Sequence, residues 1–246
     1  MPFCFTQYSF VKKLLFFLQM YGIINRIYCK RRKLHMTLRE TAQRFIRYVN
    51  RFDLTTAEGR LNGALTASAG AGNPKDSRLA PNDELKKAIQ AELDNFMTAV
   101  MSKKSLTQSD YDLSFDETVQ KIMISAEERD EDCAITYGRI QKIINIWIKY
   151  FIMLALAEID EAQFGKYRNL LPVAHVPVDR KVRNWFWQNL SDASNAAIVK
   201  TITSWKWHLT REQYYAIQND ARENFAKFGA QSALELEARV IGEWLA

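Results

Sequence analysis

The 246-residue chain is short of breakers, with only 9 glycines and 5 prolines. A sandwich or barrel of many short strands and tight turns needs more of both, so all-β folds are excluded and helices favoured. Cysteine is equally scarce: Cys4, Cys29 and Cys133 are odd in number, far apart, and form no CxxC pair. That excludes a disulfide framework, a zinc knot and an iron–sulfur ligand set, and suits a reducing cytoplasm. His35, His175 and His208 lack metal spacing and no HExxH occurs, so no metal and no cofactor are expected. A long apolar run is also missing. The longest uncharged stretch near the N-terminus, residues 14–25, is about half of the ~20 residues a bilayer-spanning helix needs. The basic cluster at residues 30–33 follows that stretch, where a secretory signal would place its charges first.

Acidic side chains are absent from residues 1–35, which hold seven bases: Lys12, Lys13, Arg26, Lys30, Arg31, Arg32 and Lys33. Subtracting these seven from the 34 Lys and Arg leaves 27 bases against 28 acids in the rest of the chain. The pI of about 9.1 therefore belongs to the first 35 residues, and overall charge makes no case for nucleic acid. Three readings of residues 1–35 stay open. They form a basic amphipathic helix for a membrane surface or for phosphates, an extra helix on the body, or an upstream extension with translation starting at Met36. Thr37 followed by Glu40 and an apolar periodicity is a helix-start signature.

What is present suits one helical body over residues 36–246: 48% hydrophobic and 25% charged residues can build a core. Phe45, Ile46, Val49 and Phe52 predict a helix to about Asp53. Residues 63–82, rich in Gly, Ala, Ser, Pro and Asn, read as a flexible loop. Leu85, Ile89, Leu93, Phe96 and Val100 mark an amphipathic helix from Asp83, and a short helix is predicted from Ser114 to about Ala126. Residues 127–132 (EERDED) read as a solvated turn. The most apolar helix runs from Gly138 to about Glu158. Further helices are predicted over 160–170, 180–190, 193–204, 210–228 and 230–245, with no strand alternation and no internal repeat.

Between Gln163 and Arg211 there are eight bases, two acids and four of the six tryptophans. Bases interleaved with large aromatics suit a surface that grips phosphates and stacks on bases; the alternative is core tryptophans beside a solvated basic face. Within this window lies HVPVDRKVRNWFW. Pro177 imposes an extended approach, and Asp179 is placed to cap a helix beginning at Arg180.

Pro-Val-Asp ahead of a basic helix start resembles the segment bearing the catalytic aspartate in helix-hairpin-helix DNA glycosylases. Gly138-Arg139-Ile140-Gln141-Lys142, opening the apolar helix, resembles the Gln-Lys element of the archaeal 8-oxoguanine branch. The resemblance covers roughly residues 138–190. It implies an all-α, two-lobed helical bundle of the helix-hairpin-helix DNA glycosylase type. It also implies a hydrolase that flips a base from double-stranded DNA and cleaves its N-glycosidic bond, leaving an abasic site. Asp179 would steady the charge on the sugar, and Lys142 would attack the anomeric carbon and add a lyase step. Trp147, Trp185, Trp205, Trp207 and His175 would be candidates for the base pocket. Gly138, Arg139, Arg180, Lys181, Arg183 and Lys206 would hold DNA phosphates. The residues before Gly138, DEDCAITYG, contain no Gly-x-Gly, so phosphate binding there falls to Gly138 and its neighbouring amides.

The substrate so implied is a damaged base in repair or a modified base in foreign DNA, the latter an antiviral role against phage. No obligate protein partner is expected. Lys142 also shares a helical face with Asn145 and Lys149, which reads alternatively as a solvated polar stripe. Two other functions compete: a non-catalytic helical nucleic-acid-binding protein, and a peripheral membrane protein anchored by residues 8–33.

Overall fold

The computed structural model describes residues 37–69, 80–130, 133–189 and 193–238. The readings of residues 1–35, half of the expected loop at 63–82, and the last residues of the expected C-terminal helix lie outside the described residues. The elements below all belong to the unit Leu38–Ala246. Among the described residues there are helices and connecting segments and no strand, and no helix is long and apolar enough to cross a membrane. The fold is thus an all-α, helix-rich bundle.

Helix α5, Tyr137–Leu156, is its axis. Nearly every residue from Gly138 to Ala155 is buried, Ile140, Ile143, Ile144 and Ile152 at 0% exposure. A helix buried around nearly its whole circumference is enclosed by its neighbours, and each such isoleucine contributes roughly 1.5–3 kcal/mol by leaving water. Helices α1 (Leu38–Tyr48) and α2 (Ala57–Ala69) pack on it. Helix α2 occupies residues 63–69, where sequence composition predicts loop. The small residues serve close packing there: a Cβ on Gly63 would stand 2.8 Å from the Tyr150 hydroxyl of α5.

Helices α3 (Asp83–Met101) and α4 (Gln108–Arg129) form a hairpin, and α4 also touches α5. The α3 apolar face is the predicted one. Asn82 ties the two ends together: its side chain accepts from Leu85 N and donates to Arg129 O, and its own N–H donates to Asp130. Helix α4 starts six residues before the predicted Ser114, because Thr107 and Asp110 form a capping box. Its end takes in Glu127–Arg129, the first half of the expected turn.

After α5 come a short helix α6 (Glu161–Phe164), a 3-10 turn (Gly165–Leu170) and an extended segment, residues 174–179. Helices α7 (Arg180–Asn189), α8 (Ala193–Lys200), α9 (Arg211–Asn224) and α10 (Ala233–Leu236) complete the chain, with a 3-10 turn at Phe225–Phe228. Helix α9 opens on a second capping box, Thr210 with Gln213. Gly229, at φ 72°, ends the 3-10 turn in the left-handed region that glycine tolerates best.

Candidate functional site

Residues 174–179 run extended with no strand beside them. Buried main-chain groups without partners are costly, and here two glutamine side chains provide them. Gln218 of α9 accepts from Val176 N and donates to Val176 O, both at 2.8 Å. Gln141 of α5 accepts from Val178 N at 3.1 Å and donates to Val178 O at 2.7 Å. Pro177 between them has no N–H to satisfy and a preset φ.

One residue further along both elements, Lys142 Nζ lies 3.1 Å from Asp179 Oδ2. Gln141 meets Val178 and Lys142 meets Asp179 in one register, 37 residues apart in sequence. The other Asp179 oxygen accepts from Lys181 N at 2.8 Å and Val182 N at 3.0 Å, capping α7. Asp179 therefore both caps a helix and pairs with Lys142. Burial pushes its carboxyl up, but the Lys142 charge and the amides of Val182 and Lys181 outweigh this and hold it below its ordinary value. It is a carboxylate at neutral pH. The Lys142 ammonium, its side chain 10% exposed, lies over the Trp205 ring at 4.6 Å from the centroid.

This pair forms part of the wall of a cavity of about 540 Å³ between α1, α2, α5 and the start of α7. Phe45, Tyr48, Phe52 and Tyr150 give it an aromatic side, and Lys181 and Glu237 add charge. Two turns along α5 from Lys142, Lys149 Nζ contacts Glu237 Oε2 at 2.5 Å, the side chains 0% and 4% exposed. Burial pushes Lys149 down and Glu237 up, each opposed by the other's charge. The solvated-stripe reading of Lys142, Asn145 and Lys149 is corrected accordingly: all three are buried.

The remaining expected site residues are dispersed. Trp147 stands in the core, edge-on to Phe151 at 4.7 Å. Trp185 packs between Phe186 and Phe228, and Trp207 is 41% exposed. His175 is buried in a directed chain: Asn145 donates to the Tyr214 hydroxyl (2.9 Å), which meets His175 Nδ1 (2.6 Å). His175 Nε2 meets Asp112 (2.7 Å), which also receives Arg222. None of these four lines the cavity.

Phosphate binding at Gly138 and Arg139 is corrected. A Cβ on Gly138 would come 1.8 Å from the Trp205 carbonyl, so that helix start is already covered. Arg139 is wholly buried and donates to the Ala134 carbonyl. Arg183 donates to the Ile202 carbonyl and Lys206 to Ala69 O, while Arg180 and Lys181 are exposed. The aromatic wall was not anticipated. Phe45 and Phe52 carry a helical period that reads as core, and only a Tyr as exposed as Tyr48, at 62%, departs from that pattern.

No family model, curated protein or solved structure matches the chain. This overturns glycosylase, base excision and antiviral defence as labels taken from likeness: no matching protein supports them. What remains is the chemistry of the site itself, since an all-α bundle alone assigns no activity.

Proposed function

We propose that the Lys142–Asp179 cleft is an active site in which the lysine amine attacks the anomeric carbon of a nucleotide turned out of double-stranded DNA. The observation that carries the reading is a mostly buried lysine 3.1 Å from a carboxylate in the wall of an aromatic cavity. A nucleophilic lysine must shed a proton before it attacks; that proton passes to solvent water, and Asp179, held below its ordinary value, stays a carboxylate beside the reacting carbon. As the Nζ–C1′ bond forms, the bond from C1′ to the base breaks. The base leaves with the electron pair and takes a proton from water. Positive charge spreads over the sugar ring in that step, and the Asp179 carboxylate stabilises it. One proton of the attached amine then passes through water to the ring oxygen O4′ as the C1′–O4′ bond breaks, and the nitrogen lone pair closes a protonated Schiff base between Lys142 and C1′. Tyr48 and Phe52, the accessible members of the aromatic side, supply faces for a flat ring, and the exposed Arg180 and Lys181 supply charge for flanking phosphates. The finer fold assignment, a two-lobed bundle of the helix-hairpin-helix type, belongs to this proposal.

The test uses duplexes carrying an abasic aldehyde or one of a panel of oxidised, alkylated or otherwise modified bases, with borohydride present. A covalent protein–DNA adduct mapped to Lys142, lost in Lys142→Ala, is expected, as is base release abolished in Asp179→Asn with binding retained. DNA binding with neither adduct nor base release in the wild type would refute the catalytic reading and leave the pair as a tie between α5 and α7. A non-catalytic binding protein would then be the better description.

A further inference from the structure

The turn at residues 204–207 is pinned at three points, two at the start of α5 and one at the end of α2. The Trp205 carbonyl sits where a side chain on Gly138 would be, at the first turn of α5. The Thr136 hydroxyl, just before that helix, donates to the Lys206 carbonyl. Lys206 Nζ donates to the last carbonyl of α2, Ala69 O, at 2.7 Å. A turn held this way cannot move its side chains independently of α2 and α5. The ring it carries, Trp205, lies 4.6 Å from Lys142 Nζ, on the ammonium that Asp179 holds at 3.1 Å.

We propose that Trp205 is a positioning residue for Lys142, clamping the ammonium between the indole face and the Asp179 carboxylate and so fixing where the amine points into the cavity. The base-pocket role first expected of Trp205 is replaced by contact with the nucleophile. A rigid aromatic face suits this, because it attracts a cation without accepting its proton or competing for its hydrogen bonds. The other charged groups near Lys142 do not duplicate the clamp. Lys149 and Glu237 are occupied with each other at 2.5 Å, and Lys181 carries the same sign as Lys142. The inference rests on the lysine chemistry proposed above and adds the residue that orients it.

The test compares wild type, Trp205→Leu and Trp205→Phe as full-length chains. Reductive methylation with formaldehyde and cyanoborohydride is followed by mass spectrometry of the peptides holding Lys142 and Lys149. Trp205→Leu is expected to speed labelling of Lys142 about tenfold, the loss of one cation–π contact, and Trp205→Phe to stay within about threefold of wild type. Wholly buried Lys149 should remain protected in all three. On the abasic duplex the order reverses: the Leu variant should lose about tenfold or more in adduct rate, because a freer amine is worse aimed.

Lys142 labelling unchanged in Trp205→Leu would overturn the clamp. Faster labelling of Lys142 and Lys149 together would also overturn it, since it would show general loosening. Faster labelling of Lys142 alone, with no adduct on DNA even for wild type, would uphold the clamp and refute the nucleic-acid reading.

Discussion

The ion pair of Lys149 with Glu237 offers a sharp test of the packing described here. Both side chains are out of solvent, at 0% and 4% exposure, and their charged atoms are 2.5 Å apart. Deleting one partner leaves a buried charge uncompensated, at a cost of about 3–5 kcal/mol. That is a large share of the roughly 5–15 kcal/mol by which a domain is stable. Lys149→Met keeps an unbranched stem and removes the Nζ, which also lies 4.7 Å from the Phe45 ring centroid, so the change removes the charge with little loss of volume.

The survivor in each variant can escape by neutralising, and the pH slopes follow. Burial already pushes the Glu237 carboxyl above its ordinary value. In Lys149→Met it goes protonated at low pH, and the loss of stability grows as pH rises above the unfolded carboxyl's range. Burial pushes Lys149 below its ordinary value. In Glu237→Gln it goes neutral at high pH, and the loss grows as pH falls. The double variant Lys149→Met/Glu237→Leu, with no charge to bury, should return to within about 1 kcal/mol of wild type. Urea midpoints at three pH values, read by tryptophan fluorescence, measure all of this. Single variants costing under about 1 kcal/mol at neutral pH, or a double variant as damaging as the sum of the singles, would refute the reasoning.

Two further outcomes are expected. Gly138→Ala improves helix propensity by about 1 kcal/mol but drives a Cβ to 1.8 Å from the Trp205 carbonyl, a backbone atom that cannot step aside cheaply. A net loss of about 1–2 kcal/mol and a lower Tm should follow, and an unchanged or raised Tm would contradict the close approach. Acid should destabilise the chain in two stages. Burial holds His175 down at about 4, so between its ordinary 6.5 and that value the unfolded chain takes a proton the native chain refuses. Asp112, pushed up by burial but held down to about 2 by His175, Gln108 and Arg222, continues the loss from its ordinary 3.8 downward. Both act in the same direction, so stability should fall steadily from about pH 6.5 and be full above it, as chemical denaturation against pH would measure; His175→Gln should flatten the upper limb.

Helix α5 was legible in the sequence because Ile140, Ile143, Ile144, Trp147, Phe151 and Leu154 mark an apolar face wide enough to call for a central position. Helix α3 was legible from one clean stripe. Helix α2 was not: Gly63, Ala64, Ala67 and Ala69 have the composition of a loop, and only the Tyr150 ring pressed against Gly63 shows why a residue without a side chain stands there. The early start of α4 was legible in principle, since Thr107 and Asp110 have capping-box spacing, but the first strongly apolar residues come later and masked it.

The site divides in the same way. Asp179 and Lys142 were named from a resemblance to a short motif, and the fold does bring them together. Their surroundings depend on contacts between residues distant in sequence, which no local pattern records. Lys149 meets Glu237 across 88 positions, and Trp205 reaches Lys142 only because its turn is docked on Gly138. Lys142, Asn145 and Lys149 along one side of a largely apolar helix were the sign that α5 has a polar side, and read alone they suggested solvent instead.

Because Gln141 and Gln218 grip the main chain of residues 176 and 178, their hold does not depend on which side chains stand there. Those valines are open to other β-branched or apolar residues of similar volume, and the meeting of Lys142 with Asp179 should survive the exchange. Length is a different matter. One residue added or removed between Val176 and Asp179 would leave both amide grips satisfied by the wrong carbonyls, or break them, and carry the carboxylate out of the lysine's reach. The same change in the exposed turn at residues 158–160 would be absorbed by the turn. This part of the chain behaves like a ruler: indifferent to its markings, intolerant of a change in its length.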